Sequence, residues 1–239
     1  MTGVDTVAAE PTPRPRRRRR LPWFFEVLVV LVAVALVQAF VAKPFGVPSQ
    51  SMEDTLHIGD RILVNRLDEH VDRGDVVVFG HGATWQERRL PASGNPFVRA
   101  ARAVGDVVGI GPSNTAYTVK RVIGLPGERV ACCSVDGRVT VDDQPLSEPY
   151  VVEDLPFTAG SLDCSSSPRS TRCFPEITVP KENLLVLGDH RSQSADSVLG
   201  CRGSTEGGGE CARFVPMDRV VGPVVLRFWP PGDVGGIRH

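Results

Sequence analysis

Six arginines between Arg14 and Arg20 run directly into a stretch of twenty mostly apolar residues, Trp23–Ala42, WFFEVLVVLVAVALVQAFVA. As a helix rising 1.5 Å per residue, that stretch reaches about 30 Å, the thickness of a bilayer's hydrocarbon core. Its two polar interruptions, Glu26 and Gln38, stand near the ends, where they reach the interface. Trp23, Phe24 and Phe25 suit an interfacial aromatic belt, and Lys43 closes the run. The pattern predicts one transmembrane helix over residues 21–43 behind a disordered basic tail, residues 1–20. The arginine block is expected to stay cytosolic, which puts everything after Lys43 on the far side of the membrane. Two other readings are weaker. A buried globular helix does not explain the adjacent arginines, and a cleaved signal peptide would have an unusually long apolar region with no well-placed Ala-x-Ala site.

The 239 residues leave room beyond that helix for one domain with a sizeable core. Aromatic residues are few, while 24 glycines and 20 prolines favour short strands joined by turns. The net charge of -1 includes the basic block, so the remainder is modestly acidic. A nucleic-acid partner is therefore not expected, because the basic residues do not spread over a folded face. Cys164 and Cys173 flank a Ser/Pro-rich loop, and Cys201 and Cys211 a Gly-rich one. Disulfides closing such loops would each contribute about 2–3 kcal/mol and require an oxidising compartment. The partners of adjacent Cys132 and Cys133 stay open. The cysteines lack the paired spacing of a zinc site, and neither a metal nor a cofactor is expected.

Strands are predicted in IGDRILVNRL and RGDVVVFG, in TAYTVKRVIGL up to its L-P-G turn, in NLLVLGDH, and in RFVPMDRVVGPVVLRFWP. GERVACCSVDGRVTVDDQPL reads as a hairpin turning at Asp136-Gly137. FVRAARAVGDVVG, residues 97–109, suits a short amphipathic helix against the sheet or near lipid, or an insertion loop. The fold class is mostly β: an N-terminal transmembrane helix, then an extracytoplasmic β-domain over 44–232 with a β-rich insertion at about 128–180, and a flexible tail from 233 to 239.

Just past the apolar run, VPSQSMEDT places Ser49 and Ser51 in a polar loop. A nucleophilic serine needs a group to take its proton. Of the five histidines, His190, after an apolar strand and beside Asp189, is the best candidate for a Ser51–His190–Asp arrangement. Of the three lysines, only Lys120 lies inside an alternating strand pattern. It shares a face with Thr118 and Val122, and would act as a base only if desolvation lowered its pKa from about 10.4. A lysine on a solvated strand face fits the same pattern, so periodicity alone does not choose.

The boxes PSQSMEDTL, GDRILVNR, RGDVVVF, VKRVIGLPGE and GDHRSQSADS, in that order after an apolar helix, resemble those of bacterial type I signal peptidases, membrane-bound serine proteases that release exported proteins. The likeness extends over roughly residues 40–230. It implies Ser51 as nucleophile, Lys120 as general base, Ser49 as an oxyanion donor together with the Ser51 N–H, and Ser194 as the hydroxyl orienting the lysine. It implies that Val47, Leu56 and Val119 line a shallow apolar pocket for small side chains, and that Met52, Asp189, Arg191 and Asp196 support the site. The implied partners are signal-peptide-bearing preproteins, cut after Ala-x-Ala-like sequences, with membrane lipid and the secretion translocase. Asp54 stands where the family usually has proline, Val198 where a DSR motif would carry arginine, and residues 201–211 form an extra Gly-rich loop. A self-cleaving repressor-type protease shares Ser–Lys chemistry but would not need the apolar helix. An inactive membrane-tethered scaffold is the non-enzyme alternative.

Overall fold

The computed structural model describes residues 22–68, 70–81, 85, 94–108, 116–205 and 209–237. Helix α1, Trp23–Phe40, has no buried residue and is long and apolar enough to cross a membrane. Its N-terminus follows Pro22, whose fixed φ suits a helix start and whose carbonyl accepts a 2.8 Å bond from the Phe25 amide. The other elements in chain order are β1 (Ala42–Gly46), β2 (Arg61–Asn65), β3 (Val76–Gly80), helix α2 (Pro96–Val108), β4 (Tyr117–Gly124), β5 (Arg129–Cys132), β6 (Val139–Val141), β7 (Gln144–Pro145), β8 (Phe174–Thr178), β9 (Asn183–Leu187), β10 (Val215–Pro216) and β11 (Val220–Trp229). The molecule is mostly β, with an apolar helix at its N-terminal end.

The strands form a seven-stranded sheet in the order β1-β2-β11-β3-β4-β9-β10 and a four-stranded sheet in the order β7-β6-β5-β8. Every pairing between these strands is antiparallel. The smaller sheet is built entirely between Arg129 and Thr178. Its β5–β6 hairpin turns at Asp136-Gly137, where Gly137 has φ +78°, a backbone region that favours glycine. A methyl group there would also meet the Phe157 ring and Arg172.

The run VVVF in β3 is buried on both faces, because the two sides of the sheet pack against different cores. Val76 and Val78 join Phe45, Val47, Met52, Leu56, Ile62 and Val64 on one side. Val77 and Phe79 join Val122, Leu184 and Val186 on the other. A third cluster, around Ile123, Val130, Ile177 and Leu185, joins the main sheet to the smaller one. At about 25 cal/mol per Å² of apolar surface removed from water, these side chains are the main favourable term in the fold.

Disulfides join Cys164 to Cys173, Cys201 to Cys211, and the neighbours Cys132 and Cys133 to each other. The sulfurs of Cys133, Cys164 and Cys173 lie within 4.8 Å of one another, but all three are oxidised and offer no thiolate to a metal. Helix α2 lies against α1. Near the chain end, Gly235 exchanges two backbone hydrogen bonds with Arg227, at 2.9 and 3.0 Å. Ile237 packs onto the cluster containing Val47 and Leu56. The apolar side chain of Ile237 is what draws this segment down.

Candidate active site

The loop after β1 carries Ser51. It is pinned at both ends: the Val47 amide donates to the Asp60 carbonyl at 2.9 Å, and the Leu56 amide to the Met52 carbonyl at 2.7 Å. Met52 and Leu56 point into the core with almost no exposed surface, so Ser51, next to Met52, is fixed against the body of the domain. Ser51 itself is only 6% exposed.

Lys120 reaches Ser51 from β4, where it pairs in register with Val77 of β3. Lys120 Nζ donates to Ser51 Oγ at 2.5 Å, and the Ser49 hydroxyl lies 3.3 Å from the same oxygen. Lys120 is 3% exposed. Burial pushes its ammonium down to about 8, against the upward pull of Asp196 and Asp189, with Arg213 adding to the downward shift. A lysine on a solvated strand face is therefore excluded. Among the described residues, the Ser51 backbone N–H donates to no other group.

The end of β9 forms the floor. Leu187 pairs with Arg121, which brings Gly188, Asp189 and His190 beside the lysine. The His190 amide donates to the Ser51 carbonyl at 3.2 Å. Gly188 is wedged between the two serines: a Cβ there would lie 2.5 Å from the Ser51 carbonyl oxygen and 2.3 Å from Ser194 Oγ. Ser194 is buried, and among the described residues its hydroxyl has no hydrogen-bond partner. The structure thus brings Ser194 to the site floor without a bond to Lys120.

Asp189 accepts from Arg121 Nε at 2.9 Å, Arg121 Nη2 at 2.7 Å and the Thr55 hydroxyl at 2.6 Å. The Arg121 guanidinium stacks 3.8 Å over the Tyr150 ring. Arg191 donates to the Gly188 carbonyl at 3.1 Å and to Glu148 at 2.5 Å. Asp196 accepts from Arg202 at 3.0 Å, while Val198 is fully buried in the core cluster. The arginine on the Asp196 carboxylate is thus Arg202, which follows Cys201. Val47, Leu56 and Val119 share one apolar cluster with Met52, but Leu56 has no exposed surface and only Val119 is half-exposed. Asp54 is exposed, with His57 as an ion-pair neighbour at 3.8 Å. The ring of His190 faces Glu53 and Glu153 rather than the Ser51 hydroxyl.

Arg121, Thr55 and Gly188 escaped the sequence reading. Arg121 carried a signal, being a charged residue between Lys120 and Val122 in an otherwise apolar strand. The demand for glycine at 188 is a tertiary contact with no local signature.

A buried hydroxyl–amine pair on an antiparallel β-domain behind an apolar helix is the build of a serine endopeptidase. The family model for signal peptidase, peptidase S26, matches residues 20–229. A probable signal peptidase I of Mycobacterium leprae is 36% identical over 98% of this chain and 86% of its own length. The signal peptidase I of Mycobacterium tuberculosis strain H37Rv is 35% identical over 99% of this chain and 82% of its own. A crystal structure of a signal peptidase I from Enterococcus faecalis V583 matches 64% of this chain and 96% of its own at 24% identity, with a TM-score of 0.32, too low to carry an argument. The chain belongs to the signal peptidase family, peptidase S26. It is a serine endopeptidase of the kind that removes signal peptides from preproteins.

Proposed function

We propose that Ser51 and Lys120 carry out this cleavage as nucleophile and general base. The observation that carries the reading is the 2.5 Å contact between Lys120 Nζ and Ser51 Oγ in a site that burial keeps at a depressed lysine pKa. Neutral Lys120 takes the Ser51 proton as Oγ attacks the scissile carbonyl. The oxyanion is stabilised by the Ser51 N–H and the Ser49 hydroxyl, one such donor being worth about 3 kcal/mol. Protonated Lys120 then gives its proton to the departing amine, leaving an acyl-enzyme. A water that loses its proton to Lys120 attacks the ester, and Ser51 leaves with that proton. Ser194 makes no bond to Lys120 in this conformation; its role of orienting the lysine during the reaction is what the family resemblance implies. Met52, Asp189, Arg191 and Asp196 hold the surrounding elements.

The substrate is a signal-peptide-bearing preprotein cut after small residues of the Ala-x-Ala kind, with Val47, Leu56 and Val119 lining the pocket. The extended substrate adds backbone hydrogen bonds beside β4. Residues 1–20 stay cytosolic, 21–43 span the membrane, and 44–232 form the catalytic domain outside, with 128–180 inserted. The arginine block supports that orientation, and the three disulfides support an oxidising destination. Membrane lipid and the secretion translocase are the neighbours this topology implies. The test is cleavage of an exported precursor by the wild type, Ser51→Ala and Lys120→Ala, with the product's new N-terminus sequenced. Loss of cleavage in both variants, with a small residue before the cut, is expected. Substantial cleavage by Ser51→Ala removes the assignment.

A further inference from the structure

His190 touches the nucleophile loop at two points. Its backbone N–H donates to the Ser51 carbonyl at 3.2 Å, and its ring Nδ1 lies 3.5 Å from Oε2 of Glu53, two residues beyond the nucleophile. The other ring nitrogen, Nε2, lies 3.2 Å from Oε2 of Glu153. The segment carrying Glu153 is itself fastened to this floor: the Val152 amide donates to the Asp189 carbonyl at 3.1 Å, and the Ser192 amide to the Glu153 carbonyl at 3.2 Å. His190 is 6% exposed, and among the described residues neither ring nitrogen completes a hydrogen bond, so the two glutamates stand at ion-pair distance only. The adjacent charges are committed elsewhere, Asp189 to Arg121 and Thr55, and Arg191 to Glu148 and the Gly188 carbonyl. The ring is thus left to the two glutamates. A neutral imidazole presents one N–H and turns a lone pair to the second carboxylate, so only the protonated ring, with two N–H groups, offers a donor to both.

We propose that His190 is a positioning residue for Ser51, its imidazole bridging Glu53 of the nucleophile loop to Glu153 and so fixing the hydroxyl beside Lys120. This rests on Ser51 being the nucleophile. The ring does not touch the reacting atoms, so the bridge acts on the rate of attack rather than on substrate binding. Misplacement of a reacting group by about 1 Å can cost on the order of a hundredfold, and releasing one of the loop's two ties is a smaller disturbance than that.

The test is a double-mutant cycle on precursor cleavage by the full-length protein, with His190→Ala, Glu53→Ala and the pair. Each single variant is expected to lower kcat about tenfold with KM within about twofold, and the pair to be no slower than the slower single, because both remove the same bridge. His190→Gln, which keeps an amide donor, should recover part of the loss. Glu53→Gln on the half-buried partner serves as a variant that keeps the fold, checked by an unchanged melting temperature, and should also slow kcat. Multiplicative losses in the pair, or unchanged kcat in folded Glu53→Ala and Glu53→Gln, overturn the bridge. Ser51→Ala assayed alongside separates the two readings. If it still cleaves, the nucleophile assignment fails. If it is dead while the Glu53 variants run at wild-type rate, only the bridge fails.

Discussion

Arg121 and Asp189 face each other through two hydrogen bonds, at 2.9 and 2.7 Å, with 0% and 1% of their side chains exposed. The pair joins β4, one residue past Lys120, to the end of β9, one residue past Gly188. It therefore sets the spacing between the base and the floor of the site. Removing one partner of a buried ion pair strands the other's charge, which typically costs about 3–5 kcal/mol. Asp189→Ala should lose stability in that range by thermal or denaturant melting in detergent. Arg121→Met combined with Asp189→Ala should lose much less than the two single losses added together, because the stranded charge is gone.

The burial that draws Lys120 to about 8 makes two pH predictions. Only neutral lysine accepts the Ser51 proton, so kcat/KM should climb about tenfold per pH unit at low pH and level off above about 8. A pH–rate profile with no inflection in that region would contradict the base assignment. For stability, the folded pKa lies below the ordinary 10.5, so the unfolded chain holds more protons between those values. Stability should therefore rise with pH from about 8 to 10.5, and the full penalty, about 3 kcal/mol, applies below that window. Lys120→Met should consequently melt higher than wild type at pH 7, with the gap closing as pH approaches 10.5.

Gly188 has no space for a side chain, since a Cβ would press on the Ser51 carbonyl oxygen at 2.5 Å and Ser194 Oγ at 2.3 Å. One obstacle is backbone of the nucleophile loop, so relief requires moving Ser51. Gly188→Ala should lower kcat by about a hundredfold or more, in line with the cost of a small misplacement of a reacting group. Pairing it with Ser194→Gly removes one of the two clashes but leaves the Ser51 carbonyl in place. That double variant should stay slow, as precursor cleavage rates will show.

Much of this architecture was open to a reading of the sequence because its signals are local. The apolar run became α1, the alternating stretches became β2 and β4, the continuous run VVVF became β3, and Asp136-Gly137 became the β5–β6 turn. The sheet order was not open: β11 inserts between β2 and β3, and antiparallel pairing over such chain separations leaves no local mark. At the site, the residue types in the boxes pointed to Ser51 and Lys120, but the depth of Lys120 depends on what the neighbouring strands lay over it. His190 shows the same limit. Its sequence position beside Asp189 made it a candidate base, and the fold turns its ring toward two glutamates. The contact of Arg202 with Asp196 was equally hidden, because it depends on the turn between the two residues and not on their types.

The loop from Cys201 to Cys211 carries the last prediction. Its disulfide joins residues ten positions apart, and Cys201 is fully buried in the core cluster with Val198. Closing a loop of that size removes unfolded-state entropy worth about 3 kcal/mol. The same closure holds Arg202 on the Asp196 carboxylate at 3.0 Å. Cys201→Ser with Cys211→Ser should therefore lower the melting temperature by several degrees or more, and it should also slow cleavage as Arg202 loses its tether. Arg202→Gln with the disulfide intact separates the two effects: it keeps the loop closure but leaves Asp196 with a neutral neighbour. Its cleavage rate should fall with a smaller loss of melting temperature than the cysteine pair shows. An Arg202→Gln enzyme as fast as wild type would mean that the Arg202–Asp196 contact does not support the site.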